Sequence, residues 1–329
     1  MFKKRNEENG ITLMALVLTI IILLILAGIS ISMLTGNNGI LRKTIEAKEK
    51  SQNAEQEEKN NIKEISSMMD KIFFEDVVGN ESDWEIDKEE QSIIKYNGQY
   101  NQDTIVIPNK VGNTYIKKIG NGTNAIGFNI EDAKGIKIKI SEGIEKIESV
   151  AFYYSVIGGN VKFPESLKEI GDSAFSNCKY ITGDLEIPDN VEKIGSFAFY
   201  YATGLNGTLK LSKALKTIGG TAFGNCAFNG SLEIPDNVEK IGENAFSSNN
   251  FTGTLIIGKS VKEIGAMSFS GNKFLGNLII PKSVKKIGMA VFPGSTFDSI
   301  KIENYKEDID VNDMAFVGMG NNAIPQYLE

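Results

Sequence analysis

The chain contains no histidine, and only two cysteines and seven prolines among its 329 residues. Without histidine there is no Ser-His or Cys-His nucleophile system, no usual zinc site and no default general base. Positive charge is also short. Lys and Arg number 35 against 42 acidic residues, a net charge of −7. That balance argues against a nucleic-acid or anionic-lipid binder, because counterion release needs clustered cations. No pair of carboxylates stands out for hydrolysis. No catalytic residue, cofactor or metal site is therefore expected. What is present is 41% apolar residues in a length that fits one large domain or two ordinary ones, enough to bury a core.

Lys3, Lys4 and Arg5 precede an uncharged stretch whose apolar heart runs from Ile11 to Leu34. As a helix it would reach about 36 Å, against a hydrocarbon core of roughly 30 Å. The run is too long for a secretory h-region and has no Ala-x-Ala end. It reads as one membrane-spanning helix, with orientation by charge equivocal because Arg42, Lys43, Lys48 and Lys50 follow closely. Gly36-Asn-Asn-Gly39 breaks the pattern. Beyond it, Arg42 to Phe73 is polar all round except for Ile62, Ile65, Met69 and Ile72 at helical spacing. This is either a solvated helical stalk that docks at its far end or a partly disordered linker.

The junction Asn9-Gly10-Ile11-Thr12-Leu13-Met14-Ala15 behind a basic leader resembles the type IV prepilin-like signal. The resemblance implies a cytoplasmic leader cut by prepilin peptidase after Gly10, leaving an N-methylated Ile11. One departure is Ala15, where that family usually carries a glutamate thought to pair with a neighbouring subunit's terminal amine. The departure weakens filament assembly more than processing or insertion. An ordinary uncleaved anchor is the other reading.

Internal periodicity dominates the rest. Phenylalanine recurs at 152, 175, 199, 223, 246, 269, 292 and 316, every 23 or 24 residues. Ile-Gly pairs keep step at 170, 194, 218, 241, 264 and 287, as do Gly-x-Leu-x-Ile-Pro segments such as Gly183 to Pro188 and Gly230 to Pro235. A fourth apolar column reads Ile157, Ile181, Leu205, Phe228, Phe251, Phe274. A unit of this size cannot bury its own apolar face, so units stack into a solenoid with a shared core. The alternation Leu-x-Ile predicts short parallel strands about 4.8 Å apart. Glycine after isoleucine predicts a bend with positive φ or a close backbone approach.

The unit Leu-x-Ile-Pro-x-x-Val-x-x-Ile-Gly-x-x-Ala-Phe, seen from Leu185 and again from Leu232, resembles the BspA-like leucine-rich repeat of bacterial and protist cell-surface proteins. The expected fold class is therefore a mainly β solenoid of leucine-rich-repeat type preceded by a long N-terminal α-helix. The expected boundaries are a leader over 1–10, a transmembrane helix over 11–35 and a stalk over 36–83. An N-terminal cap over 84–130, repeats over 131–304 and a C-terminal cap over 305–329 follow.

Outward positions alternate in sign from coil to coil: Glu145, Lys168, Glu192, Lys216, Glu239, Lys262 in one column and Lys146, Glu169, Lys193 in the next. In-register stacking would pair them, for about 0.2–1 kcal/mol each. Cys178 and Cys226 share one station two coils apart, about 9.6 Å, beyond disulfide reach, so two buried free thiols are expected. Gly253 to Ser260 matches G-x-x-x-x-G-K-S formally, but its middle is the repeat's own strand, not a phosphate-binding loop. Asp308, Asp310, Asn312 and Asp313 lack the glycine and glutamate of a calcium loop, and a capping turn is expected there.

Tyr153-Tyr154 and Tyr200-Tyr201 fall just after repeat phenylalanines two coils apart, with Tyr180 in the coil between, and Ile256 and Ile279 occupy outward strand positions. They form the candidate binding surface for a protein or glycan ligand, with packing between turns and cover by a cap as the alternatives. The expected function is a non-enzymatic, membrane-anchored adhesion or binding module on a bacterial surface. A pilin-like subunit (minor pilin or pseudopilin) of a type IV-like filament or secretion apparatus is the rival reading.

Overall fold

The computed structural model describes residue 78 and residues 80–128, 134–320 and 323–328. The leader, the membrane helix over 11–35 and almost all of the stalk over 36–83 lie outside the described residues. Among the described residues, no helix is long and apolar enough to cross a membrane.

The repeats build a parallel-β solenoid. One eleven-stranded sheet runs the length of the described region. It opens with the antiparallel pair Trp84–Asp87 and Ser92–Tyr96, then continues in parallel through Lys118–Ile119, Lys146–Ile147 and Glu169–Ile170. Lys193–Ile194, Thr217–Ile218, Lys240–Ile241, Glu263–Ile264, Lys286–Ile287 and Asp310–Val311 complete it. From Lys118–Ile119 onward each strand is two residues long, and in all but the last a buried isoleucine follows a residue that is not buried before the chain turns away.

This continuous ladder forms at the Ile-Gly column rather than at Leu-x-Ile. The Leu-x-Ile strands make separate small sheets instead, Leu185–Glu186 with Leu209–Lys210, then Asn229–Glu233 with Asn250–Ile256, then Leu275–Ile280 with Thr296–Ile302. Leu185 precedes Ile194 by nine positions and Leu278 precedes Ile287 by the same nine, which keeps the isoleucines in register. The opposite arm shortens, Leu209 lying 15 positions after Ile194, Leu232 14 after Ile218 and Ile300 13 after Ile287. The small sheets do not follow that shortening: Leu275–Ile280 pairs with Thr296–Ile302 across the last step, whereas Asn250–Ile256 and Leu275–Ile280, with equal arms, belong to different sheets.

The Ile-Gly glycines meet the second of the two expected requirements. From Gly171 to Gly288 they do not have positive φ, unlike Gly120 in the first coil at +93°; a Cβ on Gly219 would fall under 3.0 Å from the backbone of Gly195 and Ser196 in the preceding coil. Left-handed backbone appears elsewhere, at the residues two before and two after each repeat phenylalanine from Phe152 to Phe292, and two after Phe316.

The phenylalanines form one buried column. Successive rings from Phe152 to Phe316 lie 4.8–5.8 Å apart between centroids and within 20° of parallel. Tyr96 and Phe128 extend it toward the N-terminus. The fourth apolar column, with Phe228, Phe251 and Phe274 stacked on one another, is buried beside it. Cys178 and Cys226 are free and buried. Each thiol donates to a phenylalanine carbonyl of the preceding coil, Cys178 to Phe152 at 2.9 Å and Cys226 to Phe199 at 3.1 Å. Asn249 and Asn272 do the same from that station, to Phe223 and Phe246.

Candidate functional site

The turn that carries each phenylalanine is a regular hydrogen-bonded ladder. Phe152 N–H donates to Ala174 O, Phe175 to Ala198 and Phe199 to Ala222, all at 2.7–2.8 Å. Two residues on, Tyr154 donates to Ser176 O, Asn177 to Tyr200 O and Tyr201 to Gly224 O. Every second amide is thus committed to the next coil, and the intervening residues turn back within their own coil.

That geometry places the station two after each phenylalanine in the left-handed region. Its occupants are Tyr154, Asn177, Tyr201, Asn225, Ser248, Gly271, Gly294 and Gly318. Asparagine and glycine are the residues this conformation favours, and a bulky side chain there is an outlier. Tyr154 at φ +57° and Tyr201 at +60° depart from the rule; Phe197 at +58° sits in the other left-handed station, two before Phe199, which also holds Val150, Thr221 and Met267.

These departures converge. Tyr153 and Tyr154 on one coil and Phe197, Tyr200 and Tyr201 two coils later line an open trough of about 430 Å³. Its floor is the intermediate coil, with Ser173, Ser176, Asn177 and Lys179. Tyr153 and Tyr154 meet edge to face with centroids 4.6 Å apart, and Tyr200 and Tyr201 do so at 4.9 Å. Phe197 meets Tyr200 edge to face at 5.6 Å. Tyr154 is 52% exposed, and Phe197 and Tyr201 more than 40%. Desolvation, followed by the neighbouring Tyr154, raises the Tyr153 phenol above its ordinary pKa, so it stays protonated at neutral pH.

Of the sequence-derived candidates, Tyr153, Tyr154, Tyr200 and Tyr201 come together here, and Tyr180 does not line the trough. Lys134 sits 5.4 Å above the Tyr180 ring, within cation–π range. Phe197 and the floor residues were not singled out by sequence. Aligning the coils would have exposed Phe197, because its station otherwise holds Val, Ser, Thr, Asn, Met or Ala.

Ile256 and Ile279 are about half exposed on the Leu-x-Ile face. Ile256 borders a second groove of about 530 Å³ that opens between Leu209–Lys210 and Asn229–Glu233, where the ladder is interrupted. Leu209, Leu211, Leu232 and Pro235 line it. Gly253 to Ser260 has no loop form: the strand Asn250–Ile256 runs through it, and Gly258 lies against the Pro235 carbonyl of the previous coil.

The charged columns pair as their alternation predicts. Glu145 takes Lys117 at 2.8 Å and Lys168 at 2.7 Å, Lys193 pairs with Glu169 at 2.9 Å, and Lys262 with Glu239 at 2.6 Å. Hydrogen bonds from Lys117 and then Lys168 hold the Glu145 carboxyl down at about 2. Burial pushes the Cys226 thiol up to about 12 and raises Cys178 as well.

The family model for the BspA type leucine rich repeat region matches in six copies over residues 131–252 and 206–321. No curated protein matches the chain. Among solved structures, it is similar to a leucine-rich repeat protein of Bacteroides ovatus, at 21% identity over 72% of this chain and 67% of that one, with a TM-score of 0.39. A leucine rich cell surface protein of Faecalibacterium prausnitzii matches at 20% identity over 65% of this chain and 52% of that one, with a TM-score of 0.42. The alignment with the latter therefore spans about half of its length. The leucine-rich repeat protein of T. pallidum matches at 18% identity over 64% and 85% of the two chains, with a TM-score of 0.43.

Proposed function

Because the chain belongs to the BspA-type leucine-rich-repeat family, we propose that it is a non-enzymatic binding or adhesion module displayed on a bacterial surface. The N-terminal apolar run holds it to the membrane, and the solenoid presents a rigid face to a protein or glycan ligand. The observation that carries this reading is the placement of Tyr154, Phe197 and Tyr201. Three exposed aromatic side chains occupy left-handed backbone stations, and at the station of Tyr154 and Tyr201 the other coils carry Asn, Ser or Gly. Strain of this kind, with no core to fill, is the mark of a functional surface.

Protease added to intact cells tests display: the repeat region should be accessible before lysis. Protection until lysis would count against it. Mass spectrometry of the native N-terminus tests the anchor. A methylated Ile11 supports cleavage after Gly10 by prepilin peptidase, and an intact Met1 supports a plain anchor. The prepilin-like junction also supports the rival reading of a pilin-like subunit, which predicts this chain in purified filaments; Ala15 argues against it.

A further inference from the structure

We infer that the trough between Tyr153/Tyr154 and Phe197/Tyr200/Tyr201 is a carbohydrate-binding site that takes a short run of pyranose units across the coil of Phe175. The inference rests on the binding-module reading above and names its ligand class.

Three features of the trough select that class. First, its walls are aromatic and its floor is hydrogen-bonding. Ser173 offers a hydroxyl, the buried Ser176 hydroxyl accepts from the Asn177 amide at 3.1 Å and so orients it, and the tyrosines add phenols. A sugar ring presents C–H groups on its faces and hydroxyls around its rim, the same two kinds of surface. Second, no acidic residue lines the trough, although the chain carries 42 of them, and the one charge is Lys179. Sugar hydroxyls can both donate and accept here without meeting a carboxylate. Third, size separates a glycan from a protein partner. The concavity holds about 430 Å³, the size of a small-ligand cleft.

The left-handed stations supply a test that a packing role would fail. Asparagine occupies the equivalent of Tyr154 and Tyr201 in the coils of Phe175 and Phe223, so Tyr154→Asn and Tyr201→Asn should leave the thermal midpoint unchanged or higher. Calorimetric titration of the full chain would use cellotetraose, chitotetraose, mannotetraose and maltotetraose. Saturable binding of at least one is expected, weakened about tenfold by each substitution. Binding to intact cells, before and after periodate cleavage of vicinal diols, forms the second arm, and periodate should remove it.

No heat with any of the four, equal affinity in the double variant, or a lowered midpoint in either variant overturns the assignment. Cell binding that survives periodate yet is lost in the double variant overturns the carbohydrate class but leaves the binding-module reading standing. Absence of binding in both arms removes both.

Discussion

The rings of Phe175 and Phe199, 24 residues apart in sequence, lie 5.2 Å apart between centroids and 2° from parallel. The same relationship repeats along the solenoid, so each ring is buried mainly by its equivalents one coil above and one below. Phe199→Ala would remove a contact from both neighbours and leave a cavity that the hydrogen-bonded turns cannot close. A loss of about 3–5 kcal/mol is expected, read from denaturant unfolding, with Phe199→Leu costing clearly less.

Two adjacent glycines should behave oppositely. Gly219 lies against the backbone of the preceding coil, with under 3.0 Å for a Cβ, whereas the nearest atom to a Cβ on Gly220 is Glu243 O at 3.4 Å. Gly219→Ala should cost about 1–3 kcal/mol through overpacking. Gly220→Ala should be neutral or stabilise by up to about 1 kcal/mol, because it restricts the unfolded chain. Thermal unfolding of the two variants side by side distinguishes them.

The charge ladders make stability pH-dependent on the acid side. The Glu145 carboxyl titrates at about 2 in the fold, and Glu192 and Glu239 are lowered by Lys216 and Lys262. Groups depressed in this way stabilise the fold above their unfolded pKa, near 4.5, and lose that contribution as pH falls toward the folded value. The thermal midpoint should therefore be flat above about pH 5 and decline below it. Glu145→Gln should shallow that decline; an unchanged profile would show that its two lysine partners contribute nothing.

Both thiols should be inert in the folded protein. Burial raises Cys178 and Cys226 far from their ordinary range, and the thiolate is the reactive species. Iodoacetamide at pH 8 should label neither until denaturant is added, when mass spectrometry should find both modified. No 178–226 disulfide should form in air.

The repeat was legible in the sequence because a solenoid converts sequence period directly into spatial neighbourhood. Phenylalanines in phase become a stack, and charges that alternate along a column become ion pairs such as Lys193 with Glu169. The cysteine register could be read for the same reason, by multiplying a rise per coil. The part played by each column was harder to read. Leu-x-Ile looks more like a strand than Ile-Gly does, yet the longer sheet forms at Ile-Gly.

The tyrosines show where reading by sequence stops. Their positions after the repeat phenylalanines were visible, and Tyr153, Tyr154, Tyr200 and Tyr201 were expected to face a partner. That Phe197 joins them and that Tyr180 stands apart depends on backbone direction, which no residue count supplies.

Period, column and charge order were fixed by the amino acids alone, since each follows from counting residues per coil. Only the folded chain decided which stations are left-handed, and hence that Tyr154 and Tyr201 stand where Asn177 and Asn225 would rest more easily. The backbone conformation of a turn is set by the hydrogen bonds of the coils above and below it, and those exist only once the stack is built.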